Sequence, residues 1–163
     1  METIAQIASK PELQPLHESL GFLINGLARL MRNALEAKLE GTGLTATQWT
    51  VLMALGEVNG QSQTDLSRQI FLDNATITRT LDLLEAKGMI ERTRGDADRR
   101  IQFVTLTNLG ISTWQKTAHF GVEVNNAATP SLGHYERLDL ERMLRTVLRE
   151  MSTRLGWGFF RDR

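Results

Sequence analysis

The chain has 163 residues, is 41% hydrophobic and 23% charged, and carries no formal net charge. That suits one globular domain, or two small lobes sharing a core. It contains no cysteine, which excludes disulfides, thiolate zinc sites, thiol catalysis and peroxide sensing by a thiol.

No apolar run reaches the roughly 18 residues of a membrane span. The opening METIAQIASKPELQP lacks a basic region followed by an apolar block, so no secretory signal is read and a cytoplasmic protein without membrane contact is expected. His17, His119 and His134 are far apart, and no two have the spacing of a helical metal pair. No metal or cofactor is expected. The charge is unevenly spread. Residues 1–60 hold four basic and six acidic side chains, residues 92–100 four arginines against two aspartates, and residues 137–163 seven arginines against four acids. Local positive charge can grip phosphate even when the total cancels.

Residues 1–15 are polar, with Pro11 and Pro15, and read as a loose arm. A helix is predicted from about 16 to 40, with an apolar stripe through Leu20, Leu23, Ile24, Leu27, Leu30, Met31, Ala34, Leu35 and Leu39. GTG at 41–43 stops it. LTATQWTVLMAL then opens a second helix, and Thr45 with Gln48 has the spacing of a capping box. In SQTDLSRQI, Ser62 and Asp65 repeat the cap spacing, with Leu66 and Ile70 facing inward. FLDN makes a turn, and Asp73 or Asn74 caps ATITRTLDLLEAK. Ile77, Leu81 and Leu84 form the inner stripe of that helix. At 100° per residue its opposite face holds Ala75, Thr78, Arg79 and Asp82. Gly88 ends it.

GMIERTRGDADRRIQFVTLT follows and breaks the helical pattern with a basic hairpin from about 89 to 106. Thr107 and Gly110 then open a long helix, TNLGISTWQKTAHFGVEVNNAAT. Pro130 breaks it, and a last helix runs from about 132 to 155. The tail GWGFFRDR shows no usable period.

Two short helices joined by a tight turn and followed by a hairpin make a winged helix-turn-helix, whose second helix enters the major groove of DNA. Thr76 and Thr78 can hydrogen-bond bases or phosphates, Ala75 can touch a thymine methyl, and Arg79 can reach guanine or a phosphate. The alternative is a plain solvated helix face. In a strand, residues two apart share a side, so Asp98 can hold Arg100 extended toward the narrow minor groove. Arg99 points to the other side, and Arg92 and Arg94 are phosphate candidates. Against this stands an ordinary ion pair in a solvated turn, worth at most about 1 kcal/mol.

The segments GLTATQWTVLMAL, QSQTDLSRQI, ATITRTLDLLEAKGMIER and DADRRIQFVTLTNLG occur in this order. The chain resembles the MarR family of bacterial transcription regulators over roughly residues 18–155, and within it the SlyA-like members. The last segment fits the family's wing pattern, Asp-x-Arg followed by Val-x-Leu-Thr-x-x-Gly. By this resemblance Arg100 takes the place of the minor-groove wing arginine and Asp98 that of its partner. Residues 74–79, Asn74 included, take the start of the recognition helix. Two positions depart from expectation. Phe71 stands where such turns place a small residue, and Ile101 with Phe103 interrupts alternation on the second wing strand.

The resemblance further implies a homodimer. Residues 16–40 and 108–156 form the helical dimerisation region, 44–107 the winged DNA-binding domain, and 1–15 and 157–163 loose termini. Two lobes roughly 34–36 Å apart would read a near-palindromic site on double-stranded DNA. Relatives commonly bind a small anionic or aromatic effector between the dimer helices and the DNA-binding lobe. His17, Asn25, Trp49, Met53, Trp114 and His119 are the candidate lining residues, with core packing as the alternative for the aromatics. Repression by blocking promoter access is the expected mode. An enzyme is disfavoured, since no P-loop, dinucleotide turn, nucleophile elbow or metal-ligand spacing occurs. A ligand-independent regulator competing with other DNA-binding proteins and a winged-helix module for protein contacts are the remaining alternatives.

Overall fold

A computed structural model of the protein describes residues 15–95 and 101–154. The expectations for the N-terminal arm to residue 14, for Asp98, Arg99 and Arg100, and for the aromatic tail lie outside the described residues.

A 3-10 turn, Leu16–Glu18, leads into α1 (Leu20–Leu39), so the first predicted helix is divided near its start. α2 (Ala46–Glu57) begins with the expected capping box, in which Thr45 and Gln48 each satisfy the other's free amide. The strand β1 (Gln61–Ser62) precedes α3 (Gln63–Gln69), and α4 (Asn74–Ala86) completes the helix-turn-helix. Ser62 caps α3 through the Asp65 amide, and Asp73 caps α4 through the Thr76 amide.

α4 ends in a paired closure. Gly88 has φ +67°, its amide donates to the Glu85 carbonyl at 2.8 Å, and the Met89 amide donates to the Leu84 carbonyl at 3.0 Å. This reversed pairing around a left-handed residue turns the chain straight into the wing. β2 (Ile90–Arg94) and β3 (Gln102–Leu106) form the hairpin, with Arg92 opposite Val104 and Arg94 opposite Gln102. β1 adds to the free edge of β3, giving a three-stranded antiparallel sheet in the order β1-β3-β2. The sequence reading missed β1, because two residues carry no periodicity.

The long helix predicted after the wing is two helices, α5 (Asn108–Thr117) and α6 (His119–Ala128), meeting at Ala118. The indole N–H of Trp49 donates to the Thr117 carbonyl at 3.2 Å, taking an acceptor that a continuous helix would use for its own ladder. A Cβ on Gly121 would lie 2.9 Å from the Trp49 ring. A side chain inserted this way is a recognised cause of a helix break. α7 (His134–Arg154) closes the described chain.

The fold is a mainly helical winged helix-turn-helix with a small antiparallel sheet, flanked by N- and C-terminal helices. One core serves the winged lobe. Val51, Leu52, Leu55, Leu66, Ile77, Leu81, Leu84 and Val104 are fully buried there, each contributing about 2 kcal/mol by area removed from water. Trp49 and Met53 are only partly buried at its edge. α1 and α7 differ sharply from this. α1 buries only Leu39, and α7 only Ser152. Leu20, Leu23, Leu27 and Leu30 are 58%, 52%, 41% and 68% exposed, and Tyr135, Met143 and Met151 are also open.

The turn before α4 holds Phe71 at φ +57°, a left-handed conformation that costs an L-residue roughly 1–2 kcal/mol. The Leu72 amide donates to the Ser67 carbonyl at 2.9 Å and fixes the turn. Glycine relieves the strain and alanine does not, while both lack the ring. Phe71→Gly should therefore melt later than Phe71→Ala, by about 1 kcal/mol in chemical unfolding. Equal stabilities would contradict the strain.

Candidate nucleic-acid interface

The outward face of α4 is built by its cap and its buried stripe. Ile77, Thr80, Leu81 and Leu84 point inward, which leaves Asn74, Ala75, Thr78 and Arg79 exposed and Thr76 half-exposed. Thr76 and Thr78 are not free hydroxyls. Thr76 Oγ1 donates to Asp73 Oδ2 at 2.7 Å, and Thr78 Oγ1 donates to the Asn74 carbonyl at 2.7 Å. The Thr76 side chain and amide together hold the Asp73 carboxyl below the usual carboxylate range. The cap is therefore intact above that range and lost only as the pH falls through the lowered value.

The wing is tied to this helix by Arg92. Its Nε donates to Glu85 Oε2 at 3.0 Å, its Nη2 pairs with Asp82 Oδ1 at 2.7 Å, and Nη2 also reaches Glu85. The Arg92 side chain is only 18% exposed. Hydrogen bonding to Glu85, and then to Asp82, raises its already high pKa. Asp82, read as part of the outer reading face, is thus a wing contact. Arg92, read as a phosphate candidate, is engaged inside the lobe and braces the wing. Its neighbour Arg94 is exposed on the same strand. The sequence signal for the brace was faint, because it joins a helix face to a strand across the Gly88 turn.

Arg92→Gln should lower the melting temperature and leave the salt dependence of DNA affinity unchanged. A phosphate contact would instead make the slope of affinity against salt shallower by about one per protomer.

A second feature is an open cleft of about 360 Å³ between α1, the start of α2, the turn at Ile70–Leu72 and α6. Arg32, Leu35, Trp49, Ile70, Leu72 and Asn125 are among its lining residues. Of the six residues predicted for an effector, only Trp49 lines it. His17 and His119 are exposed, the Asn25 amide donates to the Gly21 carbonyl of its own helix, and Met53 packs on the core edge. Trp114 lies over Gly56, where a Cβ would overlap its ring. The predicted set does not converge, and Arg32, which the sequence reading passed over, is the charged group at the cleft. Its only signal was a basic residue beside the apolar stripe of α1. Among the described residues, no cluster of His, Asp or Glu could hold a metal, and no helix is long and apolar enough to cross a membrane.

A model of the MarR family matches residues 42–101, from the turn after α1 to the foot of β3. The HTH-type transcriptional regulator YwoH of Bacillus subtilis (strain 168) is 34% identical over 84 residues, which covers 52% of this chain and 61% of YwoH. A probable transcriptional regulator from Pseudomonas aeruginosa is 30% identical, and its crystal structure matches with a TM-score of 0.73 over 82% of this chain and 99% of that one. The chain belongs to the MarR family. A mutant MarR from E. coli, crystallised with operator DNA, is 28% identical, with a TM-score of 0.73 over 79% of this chain and 93% of that one. The chain spans 61%, 42% and 56% of the lengths of three curated HTH-type transcriptional regulators it matches. The function named for such relatives is transcription regulation, not catalysis.

Proposed function

We propose that this MarR-family chain, of the SlyA-like type, is a homodimeric cytoplasmic regulator that binds double-stranded DNA sequence-specifically and represses by blocking promoter access. One observation carries the reading. The first turn and a half of α4 offers Asn74, Ala75, Thr78 and Arg79 on one uncovered face, capped and backed by a rigid core, with the wing braced beside it by Arg92. That is the geometry of a helix inserted in a major groove with a second element on the flanking backbone. Arg94 and Arg99 as phosphate candidates and, by resemblance, Arg100 with Asp98 as its partner extend the contact along the wing. The relative crystallised with operator DNA supports this.

The uncovered apolar rows of α1 and α7 support the dimer, since contiguous exposed apolar surface on this scale marks an association face. In this reading α1 and α5 to α7 form the dimerisation region. The cleft beside Trp49 is the effector site, where Arg32 would meet an anion and the indole an aromatic ring. A ligand there shifts DNA affinity only by preferring one lobe spacing over another.

Selection from a random duplex pool tests the reading. A dimer should enrich a near-palindrome with half-sites about 10 base pairs apart, centre to centre, or a multiple of that. Enrichment of a single asymmetric half-site would contradict the dimer, and no enrichment would contradict sequence-specific binding.

A further inference from the structure

On the reading face of α4, hydroxyl protons are already committed. Thr76 gives its proton to Asp73, and Thr78 gives its proton to the Asn74 carbonyl. A threonine hydroxyl has one proton to donate, so neither can donate to a base while these bonds stand. Thr78 is held a second time. Gln63, the first residue of α3, donates from Nε2 to Thr78 Oγ1 at 2.9 Å. Threonine in a helix ordinarily divides between two side-chain rotamers, because its oxygen can turn back to the preceding carbonyl. The Gln63 amide selects one of them from a neighbouring helix.

The orientation of that amide follows from the same network. Reversed, Gln63 would place an acceptor against an oxygen whose proton is already given away. The chosen orientation leaves Gln63 Oε1 buried with no hydrogen-bond partner among the described residues. A buried acceptor without a donor is destabilising. The residue thus holds Thr78 at the expense of its own carbonyl. With the oxygen fixed between Asn74 and Gln63, the branch of exposed Thr78 left uncommitted is its methyl. Ala75, also exposed, adds a second methyl to the same face.

We propose that Thr78 reads thymine through a methyl–methyl contact in the major groove, and that Gln63 is the positioning residue that sets this specificity. The inference rests on the DNA-reading function proposed above. The 5-methyl group of thymine is the apolar feature of the major-groove edge, and Asn74 and Arg79 are left as the polar readers of this turn.

The test uses the operator found by selection, with each thymine replaced in turn by deoxyuridine, which removes only the methyl. The wild-type protein should lose about fourfold in affinity at one thymine per half-site. Thr78→Val, which keeps the methyl and puts a second in place of the hydroxyl, should retain that loss, and Thr78→Ser, which has no methyl, should abolish it. Gln63→Ala, with its melting temperature unchanged, should shrink the loss at that thymine and at no other. The proposal is overturned if no thymine responds, or if Thr78→Ser keeps the response and Thr78→Val loses it, which would make the hydroxyl the reader. A Gln63→Ala protein with an unaltered thymine response would remove the positioning role. Failure to select any sequence would instead remove the DNA-reading function itself, and the methyl contact with it.

Discussion

Gly110→Ala is expected to destabilise the protein by about 3 kcal/mol or more. Gly110 is buried in the first turn of α5. A Cβ there would run into the Met89 backbone carbonyl and press on Leu106. Met89 cannot retreat freely. Its amide closes the end of α4 on Leu84, and its carbonyl accepts from the Thr107 amide at 3.1 Å. Thr107 Oγ1 donates to the Gly88 carbonyl at 2.6 Å and accepts from the Gly110 amide at 3.1 Å. The end of α4, both wing strands and α5 therefore meet at one tight junction. The Thr-x-x-Gly of the wing pattern is the local code for that junction: the threonine bonds three ways and the glycine leaves room for a carbonyl. Denaturant unfolding measures the effect, and a loss below about 1 kcal/mol would show that the junction yields.

Arg79→Ala is expected to weaken operator binding by about 30-fold or more. Each bidentate base contact contributes roughly 1–3 kcal/mol, and a homodimer loses two of them. Arg79 is exposed on α4, six residues beyond the Asp73 cap. Among the described residues its guanidinium has no ion-pair partner, in contrast to Arg92, whose charge is met by Asp82 and Glu85. Arg79→Lys separates the two ways an arginine can act. Lysine serves a phosphate as a point charge but cannot reproduce a planar two-bond contact to guanine. A guanine reader loses most of its affinity and its preference at one base pair. A phosphate contact keeps most of the affinity and all of the preference. Anisotropy titrations on the selected operator and on single-base variants decide between them.

The parts legible in the sequence are those fixed by neighbours along the chain. Thr45, Ser62, Asp73 and Thr107 all cap as their spacing indicates, because a cap involves residues only three apart. Ile77, Leu81 and Leu84 are buried as their period requires. What was missed depends on distant partners. The break at Ala118 is made by Trp49, an indole 68 residues away from the carbonyl it takes. Arg92 looks like a phosphate ligand until the wing folds back on Asp82 and Glu85. The cleft gathers α1, α2, α6 and the helix-turn-helix turn, so no local pattern could select Arg32 or set aside His17 and Trp114. The stripe on α1 was legible from its period, and Leu20, Leu23, Leu27 and Leu30 on it face outward in this chain. They mark a face that this chain does not cover by itself.

The most direct test of the account is fluorescence anisotropy of the purified protein on the selected operator, at about 150 mM salt with excess unrelated DNA, conditions that suppress phosphate-only binding. The account predicts tight binding that survives the competitor, with two protomers per site. Binding that the competitor abolishes, or that is equal on a scrambled duplex, would contradict it.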